Sequence, residues 1–103
     1  MSKFGLYGKI VTQPGQRDAL VAILLEAAAG MPDVPGCDLY IINISPTEPD
    51  AIWVTEVWQS REDHAASLTR TDVQALIARG RPLIASGERI EVVPLGGKGL
   101  PAA

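Results

Sequence analysis

Asp38-Leu-Tyr-Ile-Ile-Asn-Ile-Ser45, Pro46-Thr-Glu-Pro-Asp50 and Ala51-Ile-Trp-Val-Thr-Glu-Val-Trp-Gln59 follow one another without a break. The two outer runs are rich in β-branched and aromatic residues, which suit a pleated surface. The link between them is short and carries Pro46 and Pro49, so the runs form an antiparallel hairpin. The second run alternates Ile52, Val54, Glu56 and Trp58 against Trp53, Thr55 and Val57. The first is apolar on both faces, with Leu39 and Ile41 on one and Tyr40, Ile42 and Ile44 on the other. A strand of that kind is normally buried on both sides.

Ahead of the hairpin, Phe4 to Thr12 reads as a strand, with Leu6 and Ile10 on one face and Tyr7, Lys9 and Val11 on the other. Gly5 and Gly8 weaken it and permit close approach to its backbone. Gln13-Pro-Gly15 is a turn, and apolar residues at helical spacing from Gln16 to Ala29 predict a helix that ends at Gly30 and Pro32. Met31 to Gly36 is a loop. Beyond the hairpin, Ser60 is placed to cap a short helix running through His64 to Leu68, with Glu62 and Asp63 in its first turn. Thr71-Asp-Val-Gln74 has the form of a capping box and opens a helix with the stripe Val73, Leu76, Ile77, Gly80, Leu83 and Ile84. Pro82 ends or kinks it. Glu88 to Leu95 is the last strand, and residues 96–103 form a Gly/Pro tail, read as an arm that is either flexible or crosses to a partner subunit.

The element order is βαββαβ, an α+β ferredoxin-like unit in a single domain over residues 1–103. Right-handed crossovers put both helical segments on one face of the sheet. The other face is left bare, and a chain this short has nothing to cover it but a second copy. The expected assembly is a homodimer packed sheet on sheet; a monomer whose greasy face binds a different partner is the competing reading. With Ile42 counted in the paired face, Ile42→Asp is expected to give monomer or aggregate.

Composition narrows the function classes. The 103 residues carry a net charge of -3, and their nine Lys and Arg are scattered, which argues against nucleic-acid binding. Cys37 is the only cysteine and His64 the only histidine, so neither an internal disulfide nor a cysteine-built zinc site is available. No apolar run is long enough to span a membrane, and the opening residues lack a signal-peptide core; the cytoplasm is the expected compartment. Serine-triad hydrolysis and nucleotide binding find no residues to support them, and Gly96-Gly-Lys-Gly99 lacks the strand–loop–helix setting of a phosphate loop.

Three segments together, Trp53-Val-Thr-Glu-Val-Trp58, Glu62-Asp-His64 and Arg81-Pro-Leu-Ile84, with the closing Gly97-Lys-Gly-Leu100, resemble the antibiotic biosynthesis monooxygenase family. The likeness is strongest to its small quinol monooxygenase-like members, and it takes in Gly8-Lys-Ile10 and Pro14-Gly-Gln-Arg-Asp18, so it covers nearly the whole chain. The resemblance implies a dimeric α+β barrel with a pocket between sheet and helices in each protomer. It further implies an oxygenase without metal, flavin or haem, using dioxygen on a small quinol or hydroxylated aromatic. Family members also include haem-binding and haem-degrading proteins, but those carry an Asn on the first strand, which Phe4 to Thr12 lacks, and His64 follows Trp58 too soon to match their histidine.

Cofactor-free oxygenation needs a base, a dry pocket and hydrogen bonds to an anion. His64 is the first candidate base: a helix start favours the neutral imidazole, while Glu62 and Asp63 pull its pKa the other way; the alternative is a solvent-facing histidine on a polar first turn. Trp58 is either a pocket wall with an indole donor or a core residue at a strand end. Glu56, if buried beside Trp58, has a raised pKa and is an alternative base; otherwise it pairs with an Arg or points to solvent. Asn43, inside an apolar strand, could bond a phenolate or quinone oxygen, a bulge or the dimer seam. Tyr7 and Tyr40 are further polar handles, whereas Arg79 and Arg81 read as solvated. A non-catalytic, ligand-sequestering barrel is the alternative to an enzyme.

Overall fold

The computed structural model describes residues 2–101. Its elements are β1 (Phe4–Thr12), α1 (Arg17–Gly30), β2 (Cys37–Ile44), β3 (Ala51–Trp58), α2 (Arg61–Ser67), α3 (Thr71–Gly80) and β4 (Ile84–Val92), with single 3-10 turns at Met31–Asp33 and Arg81–Leu83. The four strands form one sheet in the order β2-β3-β1-β4, and every neighbouring pair is antiparallel. This is the βαββαβ ferredoxin-like arrangement expected from the element order.

Register decides which side chains share a face. Phe4 lies opposite Trp58, Leu6 opposite Glu56, Gly8 opposite Val54 and Ile10 opposite Ile52. Tyr40, Ile42 and Ile44 continue the rows of Glu56, Val54 and Ile52 onto β2. This face meets the helices and holds the core. Phe4, Leu6, Val34 and Trp58 form one buried cluster, and Leu20 of α1 with Ile52 and Val54 forms another, against which Tyr40 and Ile42 pack. Leu20, Ile52 and Trp58 are at most 1% exposed. Ile42 therefore belongs to the helix-covered core, and Ile41 is the residue that probes the opposite face.

That opposite face carries Tyr7, Ile41, Trp53 and Ile90, each between 40% and 60% exposed. Across three strands Lys9, Trp53 and Asn43 form one row and Tyr7, Thr55 and Ile41 another. Gly5 lies on this face, where a Cβ would stand 2.6 Å from Val92 Cγ2 and 3.0 Å from the Pro94 ring, so the position requires glycine. The close approach expected at this strand thus comes from the chain's own residues at and just past the end of β4.

Three boundaries differ from the sequence reading. β4 begins at Ile84, not Glu88, and ends at Val92. Ala85-Ser86-Gly87 has little strand propensity, but pairing with Ile10 and Val11 of β1 holds it extended. Leu83 and Ile84 consequently leave the helical stripe: α3 stops at Gly80, and Pro82 lies in the 3-10 turn beyond it. The capping box at Thr71 does not form. Thr71 is already helical, Arg70 is the N-cap without a side-chain cap bond, and the Gln74 amide donates to Leu68 O at 3.3 Å instead. Ser60 caps α2 as expected, accepting from the Asp63 N–H at 3.1 Å. Of the tail, residues 93–101 are irregular and residues 102–103 lie outside the described residues.

Candidate functional site

A cavity of about 330 Å³ opens between the helix-covered face of the sheet and the three helices. Its walls are mostly aliphatic, from Leu20 and Leu24 of α1 to Leu76 and Ile77 of α3. The polar groups that reach it are few: Tyr40, Glu56, Trp58, His64, Ser67, Arg81 and Arg89. Sequence dictates this arrangement directly. Tyr40, Glu56 and Trp58 are even-numbered positions of the hairpin, so the pleat sends all three toward the helices. The link from β3 to α2 is only Gln59 and Ser60, and the Ser60 cap fixes where α2 starts. His64, one turn in, is thereby folded back over the end of β3.

His64 is 9% exposed. Its ring stands 5.2 Å from that of Phe4 and edge-on to Trp58 at 5.5 Å between centroids. Trp58 Nε1 donates to Glu56 Oε1 at 3.0 Å, and the same oxygen lies 4.0 Å from His64 Nε2. Four ångströms is beyond hydrogen-bond reach, so the imidazole nitrogen faces the carboxyl without being consumed by it. Ser67 Oγ, by contrast, is engaged: it donates to His64 O at 2.6 Å and steadies the last turn of α2.

Burial pushes the His64 pKa below its ordinary 6.5, and the positive charges of Arg89 and then Arg61 push the same way, against Glu91. The neutral, proton-accepting imidazole is therefore favoured, and burial is the leading cause, ahead of any helix-end effect. Burial raises the Glu56 pKa above 4.5, opposed by the Trp58 N–H and by Arg89. Burial also drives the Tyr40 phenol well above its usual range, with Glu56 adding to the shift, so Tyr40 keeps its proton and remains a donor.

The hairpin and α2 thus bring together four of the six residues singled out from sequence: Tyr40, Glu56, Trp58 and His64. Tyr7 and Asn43 stand elsewhere, on the open face of the sheet. Asn43 Nδ2 donates there to Trp53 O at 3.1 Å and to Thr55 Oγ1 at 3.4 Å. Burial raises the Cys37 thiol pKa to about 11, and the half-buried side chain donates weakly to Leu39 O, which suits a packing role. Arg79 pairs with Glu26 on the surface, but Arg81 lines the cavity instead of being wholly solvated. Arg89 was hidden by its setting: Glu88-Arg-Ile-Glu91 looks like an ordinary charged edge strand. Among the described residues no three His, Cys, Asp or Glu side chains converge to hold a metal ion.

The sequence model of the family described as Antibiotic biosynthesis monooxygenase matches residues 4–79, and the chain belongs to that family. Among solved structures, a Chloroflexus aurantiacus J-10-fl protein provisionally named as such a monooxygenase is 53% identical, with a TM-score of 0.90 over 97% of this chain and 100% of its own. A Caulobacter crescentus CB15 protein with the same provisional name is 21% identical, with a TM-score of 0.85 and 92% of each chain covered; at that distance it speaks for the fold. A Nitrosomonas europaea protein of unknown function, NE2512, is 25% identical with a TM-score of 0.80, covering 100% of this chain and 98% of its own. No curated protein matches the sequence.

Proposed function

We propose that this chain is a cofactor-independent monooxygenase that oxidises a small quinol or other hydroxylated aromatic with dioxygen. The observation that carries the reading is the Glu56–Trp58–His64 constellation inside a mostly aliphatic cavity, with His64 Nε2 facing the carboxyl and unbonded among the described residues. His64 takes the substrate's hydroxyl proton, and Tyr40 and the Trp58 edge border the resulting oxyanion. Glu56 fixes the Trp58 indole and is the alternative base. The electron-rich anion passes one electron to dioxygen, and the carbon radical and superoxide combine to a ring hydroperoxide. Loss of water then leaves a carbonyl: one oxygen atom stays in the product, the other departs as water, and no outside reductant is needed. For a simple quinol the product is a hydroxyquinone.

Two copies pair through the open sheet face, on this reading, with Trp53, Ile41 and Tyr7 at the seam and Asn43 beside them. An unpaired face with that much apolar surface is unusual for a lone soluble chain. The C-terminal arm from Gly96 onward then runs toward the partner. Such pairing closes two sheets into a barrel and leaves each cavity on the outer, helix-covered side. A cytoplasmic setting fits the lone, half-buried cysteine; no helix among the described residues is long and apolar enough to cross a membrane.

The test is product analysis under isotopically labelled dioxygen, with 1,4-dihydroxynaphthalene as probe. One labelled oxygen atom in the hydroxyquinone and one in water supports the assignment. Oxidation to the plain quinone with peroxide release, at the rate seen without protein, rejects it.

A further inference from the structure

The arginines of this chain divide cleanly. Arg17, Arg61, Arg70 and Arg79 each hold a carboxylate at 2.8–3.3 Å. Arg81 and Arg89 have no ion-pair or hydrogen-bond partner for their guanidinium groups among the described residues, and they are the two arginines that line the cavity. Arg81 is accounted for by its position as the C-cap of α3, where a cation meets the negative end of the helix. Arg89 is exposed and has no helix end to serve. It sits mid-strand on β4, opposite Gly8, and its charge reaches both His64 and Glu56.

The floor beside Arg89 is also built open. Gly8 and Gly87 lie on the same face, and a Cβ on either would meet only one backbone oxygen, at 4.0 and 3.7 Å respectively. Neither glycine adopts a left-handed φ, so local geometry does not demand them. Without side chains they leave a shallow groove bordered by Ile10 and Arg89, both of which also line the main cavity. Glu91, the nearest acid on the same face of the strand, is already held by two bonds from Arg61; Glu88, next to Arg89 in sequence, borders the groove together with Lys9, which lies opposite it across the strands.

From these observations we infer that Arg89 and the Gly8–Gly87 groove form an anion subsite that selects aromatic substrates bearing a carboxylate. The guanidinium fork takes the carboxylate in a bidentate pair, the ring lies along the aliphatic wall, and its hydroxyl is brought to the His64 end. Arg89 is thus a substrate-binding residue, while His64 performs the proton transfer. The inference deepens the proposed function but is read by binding alone, so it stands or falls separately from turnover.

The experiment is equilibrium binding of 1-hydroxy-2-naphthoate and of 1-naphthol, by calorimetry, to wild type, Arg89→Met, Arg89→Lys and Arg81→Met. Wild type should favour the carboxylate ligand by about tenfold, the scale of one charge-assisted pair at a partly exposed site. Arg89→Met should erase that preference and leave 1-naphthol affinity within about twofold. Arg89→Lys should keep part of the preference, and Arg81→Met most of it. Gly87→Leu, which fills the groove while keeping the charge, should weaken the naphthoate more than the naphthol. Equal affinity of wild type for the two ligands, or a preference that survives Arg89→Met, would overturn the inference.

Discussion

His64 carries the proposed chemistry: it is buried, burial holds its pKa below the ordinary value, and its Nε2 has no hydrogen-bond partner among the described residues. If it is the base, His64→Ala should lower turnover by about a hundredfold or more, with substrate affinity little changed; a loss within a few-fold assigns the proton elsewhere. Its depressed pKa also has a stability signature. Below pH 6.5 the unfolded chain binds a proton that the folded chain resists, so the contribution is complete above 6.5 and lost as pH falls through the folded value. Glu56 has the opposite sign: with its pKa raised, its contribution is complete below 4.5 and lost as pH rises through the folded value. Urea unfolding across pH 4–8 should therefore show His64→Gln flattening the decline below 6.5 and Glu56→Gln flattening the decline above 4.5. Sequence singled these two residues out because His64 is the one histidine and Glu56 shares a strand face with Trp58. It could not reveal Arg89, whose meaning depends on which arginines find carboxylates, a property of the folded chain.

At the scale of elements, α2 is only seven residues long and owes its position to the Ser60 cap and the two-residue link from β3. Ser60→Ala should cost about 1 kcal/mol of stability, and because the cap sets the placement of His64, activity should fall further than stability alone explains. A thermal melt beside steady-state kinetics checks both; unchanged kinetics in a measurably less stable variant would show that α2 is held by packing instead. Strands β1 to β3 were readable because alternation and short turns speak for themselves. The start of β4 was not, since Ala85-Ser86-Gly87 becomes strand only through its partner β1, and the false capping box at Thr71 failed because the helix had already begun there. Leu20→Ala, removing a side chain that is 1% exposed, should cost about 2–5 kcal/mol and enlarge the cavity it lines.

The whole molecule divides its sheet between two tasks. One face supports the helices and the cavity; the other presents Tyr7, Ile41, Trp53 and Ile90. This division was legible in the sequence from the doubly apolar strand β2, although which of Ile41 and Ile42 faced outward needed the β3 register. Ile41→Asp should convert a species with the mass of two chains into one chain with its helical content retained, as seen by light scattering and circular dichroism. A wild type that sediments as one chain would contradict the pairing. Catalysis by the proposed site is read out by oxygen uptake in chelator-treated buffer over quinols and hydroxynaphthalenes. Wild type should take up oxygen above the autoxidation background, and His64→Ala should lose that uptake. No uptake by a folded wild type on any member of the panel, or full uptake by the variant, would contradict the proposed catalysis.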